Sequence, residues 1–247
     1  MPRFRLRTLI LVISICAVVF ALLSALMSAR ESARRTTCQS KLRQLGLAML
    51  NYDSANQYLP MGVEMDSAGM PSQSWRVHLF SYTESSCWYW EYDHRAAWNS
   101  KQNIRAVARY PDLETWSCPS CSRRHSNQIN YAVVVGEETA FPPNRNVKLE
   151  EITDGPENTI LLVETLLESQ CWTEPLDLEF SSMNFTIGRS TNGLSSYHPG
   201  GVNVCFADGN TYFLTSEISP DELKALLTIS GGEPVTRQSL IERGLLR

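Results

Sequence analysis

An uncharged run of twenty residues from Thr8 to Met27, TLILVISICAVVFALLSALM, constrains this chain more than any other feature. At about 1.5 Å of helical rise per residue it matches a hydrocarbon core of roughly 30 Å. It is apolar on every face, whereas the helices of soluble cores usually keep a polar one. A cleavable signal peptide is the competing reading, and Ser24, Ala25, Ser28 and Ala29 could offer a weak cleavage site. The apolar core of such a peptide usually runs only about 7–15 residues, so length favours an uncleaved span. Arg3, Arg5 and Arg7 favour a cytoplasmic N-terminus, and Arg30, Arg34 and Arg35 on the far flank weaken that rule.

No proline interrupts the continuation SARESARRTTCQSKLRQLGLAMLNYDSAN. Within it Leu42, Leu45, Met49 and Tyr52 recur at three and four residues and mark one helix face. One helix from about residue 8 to residue 54 is expected, its first half in lipid and its second half packed on a head. Charge follows the same division. Up to Arg43, eight basic side chains and the terminal amine face a single acid, Glu31, and the rest of the chain is acidic enough to bring the net charge to -4. That pattern suits a membrane-proximal stalk with a soluble head and excludes a nucleic-acid footprint over the whole chain. The 247 residues allow one sizeable domain plus an anchor, or two small domains.

In the head, Pro60, Gly62, Gly69 and Pro71 mark a loop over 59–73. Residues 74–92 are dense in aromatics. Trp75, Leu79 and Tyr82 suit a short helix or, failing that, a strand, and the aromatics are densest at Trp88, Tyr89 and Trp90. A polar helix over 96–109, ended by Pro111, precedes β-type runs at Ile129–Val135 and Thr159–Val163. Asp154-Gly155 reads as a turn and 181–197 as loop. In VNVCFADGNTYFLTS two strand runs flank Asp208-Gly209, which predicts a two-residue type I′ hairpin. Ser219 and Pro220 predict the start of a helix over Asp221–Leu227, and Leu240, Leu245 and Leu246 sit in a tail that could end as a helix.

The stretch ARESARRTTCQSKLRQLGLAMLNYDSANQYLP resembles the start of a pilin-like family abundant in planctomycete bacteria, domain of unknown function 1559, also classed as bacterial solute-binding-like. Six further pieces resemble it in the expected order. They are SWRVHLFSY, WSCPSC, NYAVVVGEETAF, EITDGPENTILLVE, WTEPLDL and YHPGGVNVCFADGNTYF, where His198 is followed by nine residues and then Asp208-Gly209. Members begin like prepilins, with a glycine before Phe-Thr-Leu-Ile-Glu. Here Thr8, Leu9 and Ile10 fit, but Leu6, Arg7 and Leu11 replace the glycine, phenylalanine and glutamate. The resemblance therefore implies a pilin-like envelope protein that is not processed as a true prepilin. It also implies a bond between Cys38 and Cys118, positions where the family often carries cysteine.

Seven cysteines are present. Cys16 lies in the apolar run, and the other six (Cys38, Cys87, Cys118, Cys121, Cys171 and Cys205) allow fifteen pairings. Cys118-Pro-Ser-Cys121 could be a redox pair or half a zinc site, yet no second Cys-x-x-Cys exists and His125 would add only a third ligand. Cys205 alternates with Val204 and Phe206 and reads as a buried thiol. His198 could reach the Asp208 turn or Asn203. No Gly-x-Ser-x-Gly supplies a nucleophile, and turn chemistry favours a backbone bond for His198. Glu164, Glu174, Asp177 and Glu179 make no EF-hand, and the pairs Asp154/Asn158 and Asp208/Asn210 could hold calcium only weakly.

The expected fold is α+β and pilin-like, a long helix packed on a mainly antiparallel sheet. Its parts are an anchor at 1–28, an amphipathic continuation at 29–56 and a head at 57–247 with a hairpin over 198–214. The expected role is structural or interactive at the cytoplasmic membrane, with the head outside and pilin-like or secretion-system proteins as partners. It is not that of an enzyme, and no metal, cofactor or nucleic acid is expected. The alternative is an anchored solute receptor whose ligand is unknown, with Trp172, Glu174, His198, Asn203, Asp208 and Gly209 as binding candidates.

Overall fold

The computed structural model describes residues 6–83, 91–109, 116–121, 128–169 and 171–247. Cys87, Trp88, Tyr89, Trp90, Pro111 and His125 lie outside the described residues, as do Arg3 and Arg5.

Helix α1 (Leu6–Asn56) is continuous over 51 residues. Between Ile10 and Met27 its large apolar side chains are 48–75% exposed. Among the described residues it is the one helix long and apolar enough to cross a membrane. A single N-terminal apolar helix of this kind fits a single-pass membrane anchor. From Cys38 onward one face turns inward. Cys38, Leu42, Leu45 and Met49 are fully buried at spacings of four, three and four, the stripe that 3.6 residues per turn produces.

That stripe lies on a four-stranded antiparallel sheet. Its strands are β3 (Gln128–Ala132), β5 (Ile160–Glu168), β7 (Gly201–Phe206) and β8 (Thr211–Thr215), in the spatial order β3-β5-β7-β8. Side chains alternate across β7. Cys205 joins the cluster that holds Leu42, Leu45 and Met49, whereas Val202, Val204 and Phe206 face the other way. The opposite face is covered by Leu223, Leu226 and Leu227 of α4 (Pro220–Leu227) and by Leu240 of α5 (Arg237–Glu242). Cover on both faces explains why Ile160 to Leu167 are buried without interruption. The α+β expectation of a long helix on an antiparallel sheet holds.

Smaller elements complete the head. They are a β1 (Val63–Met65)/β2 (Pro71–Ser74) hairpin, α2 (Trp75–His78), α3 (Lys101–Ala108) and a parallel pair, β4 (Val134–Val135) with β6 (Leu178–Glu179). The short helix at Trp75 and the Ser219 cap form as the sequence predicts, whereas the polar helix expected over 96–109 begins only at Lys101, after the Ser100 cap. Ser219 makes a full capping box with Glu222.

Two expectations are corrected. The stretch 59–73 is not all loop, because Val63 pairs with Ser74 and Glu64 with Gln73 around the Gly69 turn. The β7–β8 connection is not a two-residue type I′ turn. Phe206 N–H donates to the Asn210 carbonyl (2.9 Å) and Gly209 N–H to the Phe206 carbonyl (2.9 Å), which leaves a three-residue loop of Ala207, Asp208 and Gly209. Only Gly209 takes a positive φ, +80°, as a three-residue loop closed by a glycine bulge requires. Asp208 instead accepts from Asn210 N–H (3.0 Å), a local bond that holds it in the turn.

Candidate functional site

On its helix-facing side the sheet carries polar groups among apolar ones. Glu164 on β5 is buried beneath α1 and accepts from Asn203 twice, from the backbone N–H at 2.8 Å and the side-chain amide at 3.0 Å. Beside it lies His198, in the loop before β7, its ring fully buried. His198 Nε2 is 3.5 Å from Glu164 Oε1 and 3.6 Å from Cys118 Sγ. On the other side of the ring, Nδ1 is 2.6 Å from Glu31 Oε1, a residue of α1. Glu31 also accepts from the Ser120 hydroxyl at 3.1 Å. Cys38, on the buried stripe of α1, places its sulfur 3.1 Å from that of Cys118. Asn130 on β3 accepts the Cys118 N–H at 2.8 Å and so fixes the segment that presents the thiol.

The electrostatics follow from this crowding. Burial alone would push the His198 imidazole down, but Cys118, Glu164 and Glu31 around it raise it to about 10. The hydrogen bond from Cys38 draws the Cys118 thiol down against its burial, with help from His198. The same bond, burial and the nearby Glu164 carboxylate push the Cys38 thiol far up.

The expectation that His198 serves a backbone group is corrected: its ring meets two carboxylates and a thiol. The structure joins His198 to Asn203 through Glu164, and leaves Asp208 and Gly209 at the far end of β7. Six strand residues at about 3.3 Å each put roughly 20 Å between the two ends. There the Asp208 carboxylate pairs with Arg237 at 2.5 Å. Burial would raise that carboxyl, but Asn210 and Arg237 hold it below its ordinary value. Trp172 belongs to an aromatic group, stacked on Trp116 at 5.7 Å and tilted on Phe80 at 5.0 Å, with Trp116 edge-on to Trp75. Glu174 is half-buried in the same loop, where its N–H donates to the Cys171 carbonyl at 3.0 Å. Asp154, weighed for calcium, spends its oxygens on Gly231 and Gly232 N–H, and Asn158 accepts from Arg237 N–H. Cys205 is the buried thiol the sequence suggests.

Glu31 and Glu164 complete the site, and local pattern does not mark them. The faint signals are that Glu31 is the lone acid among the basic residues up to Arg43 and that Glu164 interrupts an apolar strand. A second buried group, Arg76 with Asp177, is a bidentate ion pair at 2.8 and 3.1 Å. It also takes in Trp75 Nε1, Val133 N–H and the Tyr131 carbonyl.

A family model described as "Protein of unknown function (DUF1559)" matches residues 27–186 and 179–221, which together span most of the chain. The chain belongs to that family. The DUF1559 match runs from the end of the apolar segment through the β7–β8 hairpin, and so contains Glu31, Cys38, Cys118, Glu164 and His198. No curated protein and no solved structure matches it.

Proposed function

We propose that this DUF1559 protein is a membrane-anchored, non-enzymatic envelope protein, pilin-like in build, whose head lies outside the cytoplasm and acts by structure or by contact with other proteins. The observation that carries the reading is α1. It is one unbroken helix, apolar and exposed over Ile10–Met27 and buried against the sheet from Cys38 on, so the anchor and the core of the head are the same rod. Pilin-like or secretion-system partners fit such a rod-and-head shape. Leu6 and Leu11, where a prepilin has glycine and glutamate, favour a subunit that stays in the cytoplasmic membrane without prepilin processing.

The family model's short label, of the bacterial solute-binding type, favours a second reading as an anchored receptor. The length of β7 between His198 and Asp208 speaks against a single pocket built from both, and equally against a His198–Asp208 hydrolase.

The test is labelling of intact cells with a membrane-impermeant maleimide, before and after lysis, combined with mass spectrometry of the native N-terminus. Head cysteines that react from outside, on a chain not cut after Leu6, support the reading. Head cysteines reachable only after lysis would end it, and a mature chain that starts at Arg7 with a methylated amine would end its unprocessed form.

A further inference from the structure

Cys38, Cys118, Glu164 and His198 come from four separate segments: α1, residues 116–121, β5 and the loop before β7. Each is buried, and each offers one ligand atom, all four within 4.8 Å of one another. We propose that they form a closed zinc site that ties the anchor helix to the sheet of the head.

The donor set decides the metal class. Two sulfurs, one imidazole nitrogen and one carboxylate oxygen make a borderline-soft, four-donor set, which suits tetrahedral zinc. Calcium and magnesium take six or more oxygens. Zinc bonds of about 2.3 Å to sulfur and about 2.0–2.2 Å to nitrogen and oxygen place tetrahedral donors roughly 3.3–3.8 Å apart. The observed separations of 3.5 and 3.6 Å from His198 Nε2 to Glu164 and Cys118 meet that requirement. The sulfurs, at 3.1 Å, stand between the spacing of a zinc dithiolate and the about 2.05 Å of a disulfide. Ligation opens them by about half an ångström, each thiol giving its proton to solvent.

The surroundings are those of a metal-bound histidine. With Glu31 accepting from Nδ1–H at 2.6 Å, the Nε2 lone pair faces the other three donors, the tautomer that a carboxylate–histidine–zinc arrangement needs. Asn203 holds both Glu164 oxygens, Oε2 through its backbone N–H and Oε1 through its side-chain amide, so Oε1 is fixed 3.5 Å from His198 Nε2 with a second lone pair for the centre. Two buried polar atoms of the supporting residues, Asn130 Nδ2 and Asn203 Oδ1, have no hydrogen-bond partner among the described residues. With no position left open, the site is structural: the ion locks Cys38, one turn beyond Arg34 and two beyond Glu31 in α1, to the head.

The experiment uses the full chain in detergent, reduced, stripped with chelator and titrated with Co2+ and then Zn2+. One equivalent of cobalt should bind with thiolate charge-transfer absorption and the intense d–d bands of a tetrahedral site, and zinc should displace it. Cys118→Ser should abolish the charge-transfer band, and Cys16→Ser should leave it unchanged. Should the cysteine variants fail to fold, Glu31→Gln decides. It sits at a partly exposed helix position, and it should weaken zinc by about 10–100-fold with the fold kept. Cobalt binding that survives in a Cys38→Ser/Cys118→Ser double variant, or is unmoved by Glu31→Gln, would overturn the proposal. So would protein isolated without reductant that carries no zinc and yields a Cys38–Cys118 linked peptide.

Discussion

Gly46 of α1 sits directly over Cys205 of β7, so close that a methyl group at position 46 would collide with the Cys205 sulfur. The missing side chain sets the distance between helix and sheet, and with it the placement of Glu31 and Cys38 above β5 and β7. Gly46→Ala gains about 1 kcal/mol of intrinsic helix propensity but overpacks a tight contact, which costs about 1–3 kcal/mol. The expected net result is a loss of up to about 2 kcal/mol, read as a lower thermal midpoint of the full chain in detergent. In a Cys205→Ala background the sign should reverse, because the colliding atom is gone. A Gly46→Ala protein as stable as the parent would show that the contact is slack.

Arg76 and Asp177 form another buried polar group, with side chains 1% and 0% exposed. Removing one partner strands a charge in the core, at a typical cost of about 3–5 kcal/mol. Asp177→Leu should therefore lower the midpoint by roughly 6–20 °C for a chain of this size. Arg76→Met combined with Asp177→Leu should cost less than the two single changes together, since no lone charge remains. It should not be neutral, because Val133 N–H and Trp75 Nε1 lose their acceptor. Strict additivity in the cycle would show that the two groups are not coupled.

What the sequence makes legible here is whatever local spacing controls. The uncharged run, the stripe at Leu42, Leu45 and Met49, and the cap at Ser219 are each set by neighbours within a few residues, and each forms where expected. The β1–β2 hairpin was hidden because Gly62, Gly69 and Pro71 read as punctuation, whereas its pairing is held by the core beneath Trp75. The site was half legible. His198 stands out in its motif, but its Nδ1 partner Glu31 is 167 residues away and its Nε2 neighbour Cys118 is 80. Only packing α1 across the sheet brings them together, and no periodicity reports that. The same holds for the metal. Cys118 and Cys121 suggested a sequence-local zinc half-site, but the Cys118 thiol points to Cys38 and His198.

A pH dependence is expected at the start of α4. The Arg243 guanidinium, together with the Ser219 hydroxyl and backbone N–H, holds the Glu222 carboxyl at about 2 against its ordinary 4.5. A group whose folded value is depressed contributes stability above its unfolded value and loses it as pH falls. The contribution should be complete above about pH 5 and fade between about 4.5 and 2. Glu222→Gln keeps the capping box but not the charge. Its midpoint should lie below that of the parent at neutral pH and converge with it as pH drops through that window. A gap that stays constant down to pH 2 would show that the charge contributes nothing.

Membrane retention should depend on the middle of the apolar half of α1. Eleven Leu, Ile, Val and Phe side chains lie between Ile10 and Met27, each favouring insertion by about 0.3–0.6 kcal/mol. Together they supply roughly 3–7 kcal/mol, whereas one arginine near the centre opposes insertion by about 2.5–3.5 kcal/mol. One such change could be absorbed by tilting or by extension of the side chain towards the interface. Val18→Arg with Val19→Arg costs about as much as the whole run supplies and removes two of its contributors. The parent should stay in the membrane pellet after alkaline extraction, and the double variant should move largely to the supernatant. Since both positions lie outside the head, the supernatant protein should keep the core built on Leu42, Leu45 and Met49, read as an unchanged cooperative unfolding transition. A double variant that remains in the pellet would mean that something other than Ile10–Met27 holds the chain to the membrane.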